Sequence, residues 1–243
     1  MRILLTGLVT VHWGRAEYGN IGNYYIVATT VRELHRVFPH AEISTTFQMT
    51  NEFAKRERIK VLPMSLYYTW SETDLLRSME ELGLATIFKT TGNLFETTPY
   101  IEEVLKNDLV IDFSGEMWGD HAEPVGKKRF LVNLIKLRIA QLLGKKTALL
   151  AGSQGPFNKC PEIDFARLVF ENFDIISNRE STSKELLKTN GFDITNVQNF
   201  TDPAFLFDPA SDEDIAEIYA REKIFDEERK TIITFLNEKN VEF

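Results

Sequence analysis

The sequence predicts an α/β protein built on a mostly parallel sheet flanked by helices. Two observations carry this. Apolar strand-like runs alternate with helix-like runs along most of the chain. The first run, residues 3–8, is continuous rather than alternating, as expected for a strand covered on both faces.

The elements follow in order. A helix is expected from about Asn23 to before Pro39, with Ile26, Val27, Val31, Leu34 and Phe38 on one side. Residues 41–47 read as the second strand and 51–58 as a short helix. Residues 60–66 read as a short strand interrupted by Pro63. Ser71-Glu72-Thr73-Asp74 resembles a helix start with Ser71 as N-cap, and Gly83 is the expected C-cap of that helix. Residues 85–99 read as a loop and 100–106 as a helical turn. Residues 108–114 form the clearest central strand, and 127–143 the clearest helix, with Phe130, Leu134, Leu137 and Ile139 inward. A strand at 147–151, a helix at 160–172, a strand at 174–177, a helix at 181–189 and a strand at 197–200 complete the series. After Asp202-Pro203 the texture changes. Residues 208–230 read as a charged linker or bridging helix, and 231–243 as the start of a truncated second domain, so a domain boundary is expected near residue 207.

Composition narrows the function. The 243 residues are 43% hydrophobic and 26% charged, enough for a substantial core. With 28 basic and 36 acidic residues the net charge is −8, so nucleic acid is a poor partner, although a local basic pocket for one small anion is allowed. The single cysteine, Cys160, excludes an intrachain disulfide and a cysteine-based metal site, and fits a reducing cytoplasm. The N-terminal apolar run is too short for a signal peptide, and no run approaches the roughly 20 residues of a membrane span. HExxH, CxxC and GxSxG motifs are all missing, so metal hydrolase, redox and serine hydrolase chemistry lack a carrier.

In open α/β sheets ligands bind at strand carboxyl ends, near helix N-termini. Four loops sit there. Tyr18-Gly19-Asn20-Ile21-Gly22-Asn23 brings glycines and a helix start suited to an anion, or is a plain turn capped by Asn23. The preceding residues 9–17, with His12 and Trp13, read as a lid. The loop from Asp112 to His121 carries Ser114, Gly115, Glu116, Trp118, Asp120 and His121. Its carboxylates suit sugar hydroxyls, Trp118 suits stacking on a sugar face, and His121 suits proton transfer; the competing reading is a solvated loop. Ala151-Gly152-Ser153-Gln154-Gly155-Pro156 offers Ser153 and Gln154 as ligand donors, or is a tight connection. In Ser177-Asn178-Arg179-Glu180-Ser181, the Arg179 guanidinium can grip a carboxylate or phosphate, or pair with Glu180 at the surface.

The ordered set of loops resembles the polysaccharide pyruvyl transferase family over residues 1–207. The matching pieces are Gly19-Asn20-Ile21-Gly22-Asn23, the strand and turn at 111–116, and Leu143-Gly144-Lys145-Lys146. Gly152-Ser153-Gln154-Gly155-Pro156-Phe157, Arg179-Glu180-Ser181-Thr182-Ser183 and Asp202-Pro203-Ala204-Phe205-Leu206 follow. Asn23 stands where the family usually has Asp, and Ser114-Gly115-Glu116 replaces a triple glycine. The resemblance implies a Rossmann-like domain, the N-terminal half of a two-domain glycosyltransferase-B-like architecture. It implies transfer of a pyruvyl group from phosphoenolpyruvate to a glycan or lipid-linked sugar as a ketal, with no cofactor and no metal. It places the chain in the cytoplasm, with the inner membrane face as an allowed location. On this reading Glu116, Asp120 and His121 are catalytic, while Asn20, Gly22, Asn23, Ser114, Gly115, Ser153, Gln154 and Arg179 bind the anionic donor. A nucleotide-sugar-dependent glycosyltransferase and a non-catalytic truncated module are the alternatives.

Overall fold

The computed structural model describes residues 1–8, 21–125 and 128–222. Two compact units divide the chain, Met1–Phe207 and Asp208–Phe243. The first unit contains seven strands: β1 (Arg2–Thr6), β2 (Glu42–Thr45), β3 (Ile59–Val61), β4 (Leu109–Asp112), β5 (Lys146–Gly152), β6 (Ile175–Asn178) and β7 (Val197–Asn199). They form one sheet in the order β3-β2-β1-β4-β5-β6-β7, and every pairing is parallel. The expected parallel α/β sheet is therefore present, in the doubly wound order whose direction of growth reverses between β1 and β4.

The connecting helices are α1 (Ile21–Val37), α2 (Asn51–Arg56), α3 (Asp74–Thr91), α4 (Pro99–Lys106), α5 (Arg129–Leu142), α6 (Ile163–Glu171) and α7 (Thr182–Thr189). Ile3, Leu5, Ile43 and Ile111 point to one sheet face, where Val27 and Val31 of α1 and Phe53 of α2 cover them. Leu4 and Val110 point to the other, against α4 and α5. Leu149 and Ile176 meet α5 and α6 on that same side. Helix α5 is buried on nearly every side, because Phe130, Leu134 and Leu137 serve one cluster while Val132, Ile135 and Ile139 serve the other. Of its three buried polar side chains, Asn133 and Lys136 are hydrogen-bonded, and Arg129 lies over the rings of Tyr68 and Trp70. Lys136 is wholly enclosed with Glu81 of α3, and burial holds its ammonium down at about 8. In the second unit the described helix is α8 (Asp212–Glu222), which has no buried residue.

Several sequence expectations need correction. Gly83 does not end a helix: α3 runs on to Thr91 and closes at Gly92, whose φ of 74° is the left-handed cap glycine adopts readily. Residues 85–91, expected in a loop, are thus helical, with Ala85 and Phe88 supplying the apolar face. The N-cap of α3 is Thr73, not Ser71; Asp74 reaches back to accept from the Thr69 and Ser71 amides. Residues 64–66 form a 3-10 turn rather than strand, and α1 begins at Ile21, before Asn23. The expected lid at 9–17 and strand at 231–235 lie outside the described residues.

Candidate functional site

The reversal between β1 and β4 opens a crevice at their carboxyl ends, and the residues there are held from below by a buried polar chain. Thr6 and Asp112 are in register, so Gly7 and Phe113 leave the sheet side by side. Gly7 has φ of 134°, and a Cβ there would sit 2.6 Å from Asp112 Oδ1 and 2.8 Å from Ser114 Oγ. Only glycine allows this approach. The Ser114 hydroxyl donates to Asp112 Oδ1 at 2.6 Å and accepts from the Leu8 amide at 3.0 Å and from Asn133 Nδ2 at 3.2 Å. Tyr67 donates its hydroxyl to Asn133 Oδ1, and Trp118 donates Nε1–H to Asp112 Oδ2. Asp112 is fully enclosed. Burial pushes its carboxyl up to about 6, although the hydrogen bonds from Ser114 and Trp118 pull the other way.

The loops after β4 and β5 are laced together above this chain. Ser153 N donates to Gly115 O at 3.4 Å, Gly155 N to Trp118 O at 2.7 Å and Asp120 N to Pro156 O at 2.8 Å. The Asp120 carboxylate accepts from the amides of Asn158 and Lys159 at 2.8 and 3.0 Å. The β6 loop joins them, since Arg179 N donates to Gly152 O at 2.9 Å. Ser153 Oγ lies 3.3 Å from Glu180 Oε1. Burial raises the Glu180 carboxyl, but hydrogen bonds from Ser183, Ser153 and Thr182 outweigh it and hold the group below its ordinary range. Near its end β5 loses register with β6, and Ala151 takes φ of 53°, a strained conformation at the rim.

The predicted site residues are thus distributed as follows. Ser114, Gly115, Ser153 and Gln154 come together on the β4 and β5 loops, and Asp120 ties those loops. Glu116 is exposed in a 3-10 turn, and His121 is exposed in the next one. Gly22 and Asn23 occupy the first turn of α1, at its surface, and Asn20 lies outside the described residues. Arg179 is at the end of β6, where NH1 lies 3.2 Å from Asp202 Oδ2, not on Glu180. Trp118 cannot stack on a sugar as expected. It is wholly enclosed among Phe130, Phe170 and Phe173, and its indole N–H is spent on Asp112.

Two residues of weight escaped the sequence. Asp112 looks like the polar end of a strand, and only the packed neighbours reveal its enclosure. Asn178 is buried at the end of β6, in register with Gly152, and both polar atoms of its side chain lack partners. Gln154, also fully buried, has the same two unpartnered atoms. A pair of such amides marks a place for water or for a polar ligand group. Among the described residues no group of three or more His, Cys, Asp or Glu is placed to hold a metal, and no helix is long and apolar enough to cross a membrane.

Comparison with known proteins adds to this geometry. A solved structure of Anabaena HepE in complex with UDP-glucose is 12% identical, with 92% of this chain and 50% of that one covered at a TM-score of 0.49. The lipopolysaccharide outer core galactosyltransferase WaaB is 13% identical, with 82% and 44% covered at a TM-score of 0.44. The chain therefore spans half or less of the length of these structures. A stretch of 102 residues is 30% identical to the phosphatidylinositol-3-phosphatase SAC1 of Saccharomyces cerevisiae, covering 36% of this chain and 16% of that protein. The family model for polysaccharide pyruvyl transferase matches residues 20–240, a span that takes in the laced β4, β5 and β6 loops and most of the chain. The chain belongs to the polysaccharide pyruvyl transferase family.

Proposed function

We propose that the rim formed by the β4, β5 and β6 loops binds phosphoenolpyruvate for transfer of its pyruvyl group to a glycan or lipid-linked sugar. The observation that carries this reading is the lacing itself. Three separate chain segments, all within the span that the family model matches, meet along one edge of the sheet through Ser153 N–Gly115 O and Arg179 N–Gly152 O.

The chemistry sets what the rim must do. The methylene carbon of the enol gains a proton. A first sugar hydroxyl oxygen bonds to C2, and a second displaces phosphate as the C2–O bond to phosphorus breaks. Two hydroxyl protons leave the sugar; one balances the proton on the methylene and the other goes with phosphate. An anion clamp and proton carriers are required. Arg179 takes the clamp role by exchanging Asp202 for the carboxylate or phosphate of the donor. Glu116 and His121 carry protons. Asp120 holds the loops through the amides of Asn158 and Lys159, and Ser153, Gln154 and the amide of Asn178 contribute polar contacts.

The test is donor-dependent phosphate release by the full-length protein with a panel of saccharide acceptors, and detection of the ketal by mass spectrometry. Arg179→Ala weakens the donor by about tenfold or more, the scale of a charge-assisted hydrogen bond. Unchanged donor affinity in that variant removes Arg179 from the role. Absence of donor-dependent phosphate release with every acceptor removes the reaction.

A further inference from the structure

On the opposite end of the sheet from this rim lies a cavity of about 390 Å³ lined by Arg32, His35, Arg36, Arg56, Glu57 and Arg58. Helices α1 and α2 each return from a strand's carboxyl end to the amino end of the next parallel strand. Their last turns therefore meet below β2 and β3. We propose that this cavity is a binding site for a phosphate dianion, carried on a soluble molecule or on a lipid headgroup.

Charge is the first ground. Four guanidiniums converge on one cavity of a chain whose net charge is −8. Inside it, Glu57 is the sole acid. Its buried carboxylate takes Arg32 at 2.9 and 2.8 Å and Arg56 at 3.0 Å. Arg36 pairs with Glu33 on the cavity's outer edge, at 2.6 Å with both side chains well exposed. Four positive and two negative side chains leave a surplus of two charges. That surplus matches a phosphate monoester, which carries about −1.5 to −2 at neutral pH. Helix ends favour a cation or two, but crowding four beyond that is self-repulsive unless an anion is present.

Backbone conformation is the second ground. Arg58 follows the C-cap of α2 with φ of 55°, where glycine or asparagine is the low-energy choice. A long, β-carbon-bearing side chain there is held at a cost that packing does not explain, because Arg58 is exposed. Its guanidinium makes no hydrogen bond or ion pair among the described residues, so its donors are available to a ligand. The ring of His35 lines the same cavity. Its Nε2 lies 3.3 Å from Glu57 O, and its buried Nδ1 has no partner.

Glu57 organises the site. It orients Arg32 and Arg56, and Arg56 is further fixed by donating to Tyr24 Oη at 2.9 Å. Two guanidiniums are thus positioned in advance, Arg58 is left to close on the anion, and Arg36 joins it by exchanging Glu33 for the ligand. Preorganised guanidiniums of this kind can grip the oxygens of a phosphate bidentately at reduced entropic cost.

The decisive experiment is titration calorimetry of the full chain with inorganic phosphate at constant ionic strength. Co-sedimentation with phosphatidylcholine vesicles, with and without phosphatidic acid, runs in parallel. The Arg36→Ala/Arg58→Ala variant leaves the Glu57 cluster intact, so folding is preserved and is checked by its melting curve. Saturable phosphate binding that falls at least about tenfold in this variant supports a soluble phosphate ligand. Sedimentation only with phosphatidic acid, lost in the variant, supports a headgroup. The rim is kept separate by Arg179→Ala, which leaves binding at this cavity unchanged. The proposal is overturned if wild type binds neither probe, if the double variant binds as wild type does, or if the loss follows Arg179→Ala instead.

Discussion

Replacing Asp112 by Asn should flatten a specific segment of the stability–pH curve. The carboxyl stands at about 6 in the folded chain against 3.8 when exposed, a difference of about 2 pH units. Because the folded value is raised, the folded chain binds the proton more tightly. Its contribution to stability is fully present below about 3.8 and is lost as pH rises through 6. At 1.36 kcal/mol per unit, the enclosed carboxylate lowers stability by about 2 kcal/mol between pH 4 and pH 7.5, since part of the fall already lies below pH 4. Asparagine cannot ionise, so that fall disappears. The variant still carries its own penalty. Ser114 and Trp118 donate to different oxygens of Asp112, and an amide leaves one of them facing an N–H, at about 1–3 kcal/mol. The slope, not the absolute stability, is therefore diagnostic. Urea denaturation of both proteins from pH 4 to 7.5 measures it, and subtracting the two curves removes every other titrating group. A difference that stays constant within about 0.5 kcal/mol over that range would refute the enclosure of Asp112 as the cause.

Two further substitutions test the scaffold by urea denaturation. Gly7→Ala places a Cβ within 2.6–2.9 Å of Asp112 Oδ1, Ser114 Oγ and Phe113 N at a φ of 134°. Steric and backbone terms together should destabilise by about 2–5 kcal/mol, and a loss under 1 kcal/mol would contradict the close approach. Lys136→Met strands the Glu81 carboxylate, which is 3% exposed, and should destabilise by about 3–5 kcal/mol. Adding Glu81→Leu should restore most of that loss, because the pair is then replaced by apolar groups of similar size. Failure of the second change to help would locate the penalty in packing rather than in an unpaired charge.

What the sequence makes legible depends on whether a local signal has a local cause. The run at 3–8 reads as a buried strand because both faces of β1 are covered, and nothing distant alters that. The strand-end loops are readable for the same reason: glycine, serine and amides cluster where β4, β5 and β6 stop. Gly83 misleads because a C-cap glycine and a tolerated helical glycine are the same residue. The apolar spacing through Leu82, Ala85 and Phe88 decides the matter, since α3 has a core to cover as far as Phe88. Trp118 misleads in another way. Its neighbours Gly119, Asp120 and His121 are polar, but the ring turns under the loop into a cluster of phenylalanines distant in sequence. Asn178 and Arg58 carry no binding signal in the sequence because their significance is conformational: an amide sealed in by the rim, and a left-handed backbone angle beside three other arginines.

The buried chain at the crevice explains how such a rim is kept in place. Apolar packing alone specifies α5 weakly along its axis, because Leu, Ile and Val on all sides can exchange neighbours after a slip of one turn. Asn133 and Lys136 remove that freedom. The Asn133 amide has one permitted orientation, since its oxygen receives Tyr67 and its nitrogen reaches Ser114. A slip of α5 would take Asn133 away from both Tyr67 and Ser114 in an enclosed space, and would part Lys136 from Glu81 as well. Each such loss is worth about 1–3 kcal/mol, so their sum exceeds what the enclosed Asp112 forfeits at neutral pH. The same serine that satisfies Asp112 also holds the Leu8 amide, so the β1 and β4 loops are positioned by the one hydroxyl. Stability is thereby exchanged for a single arrangement of the strand ends.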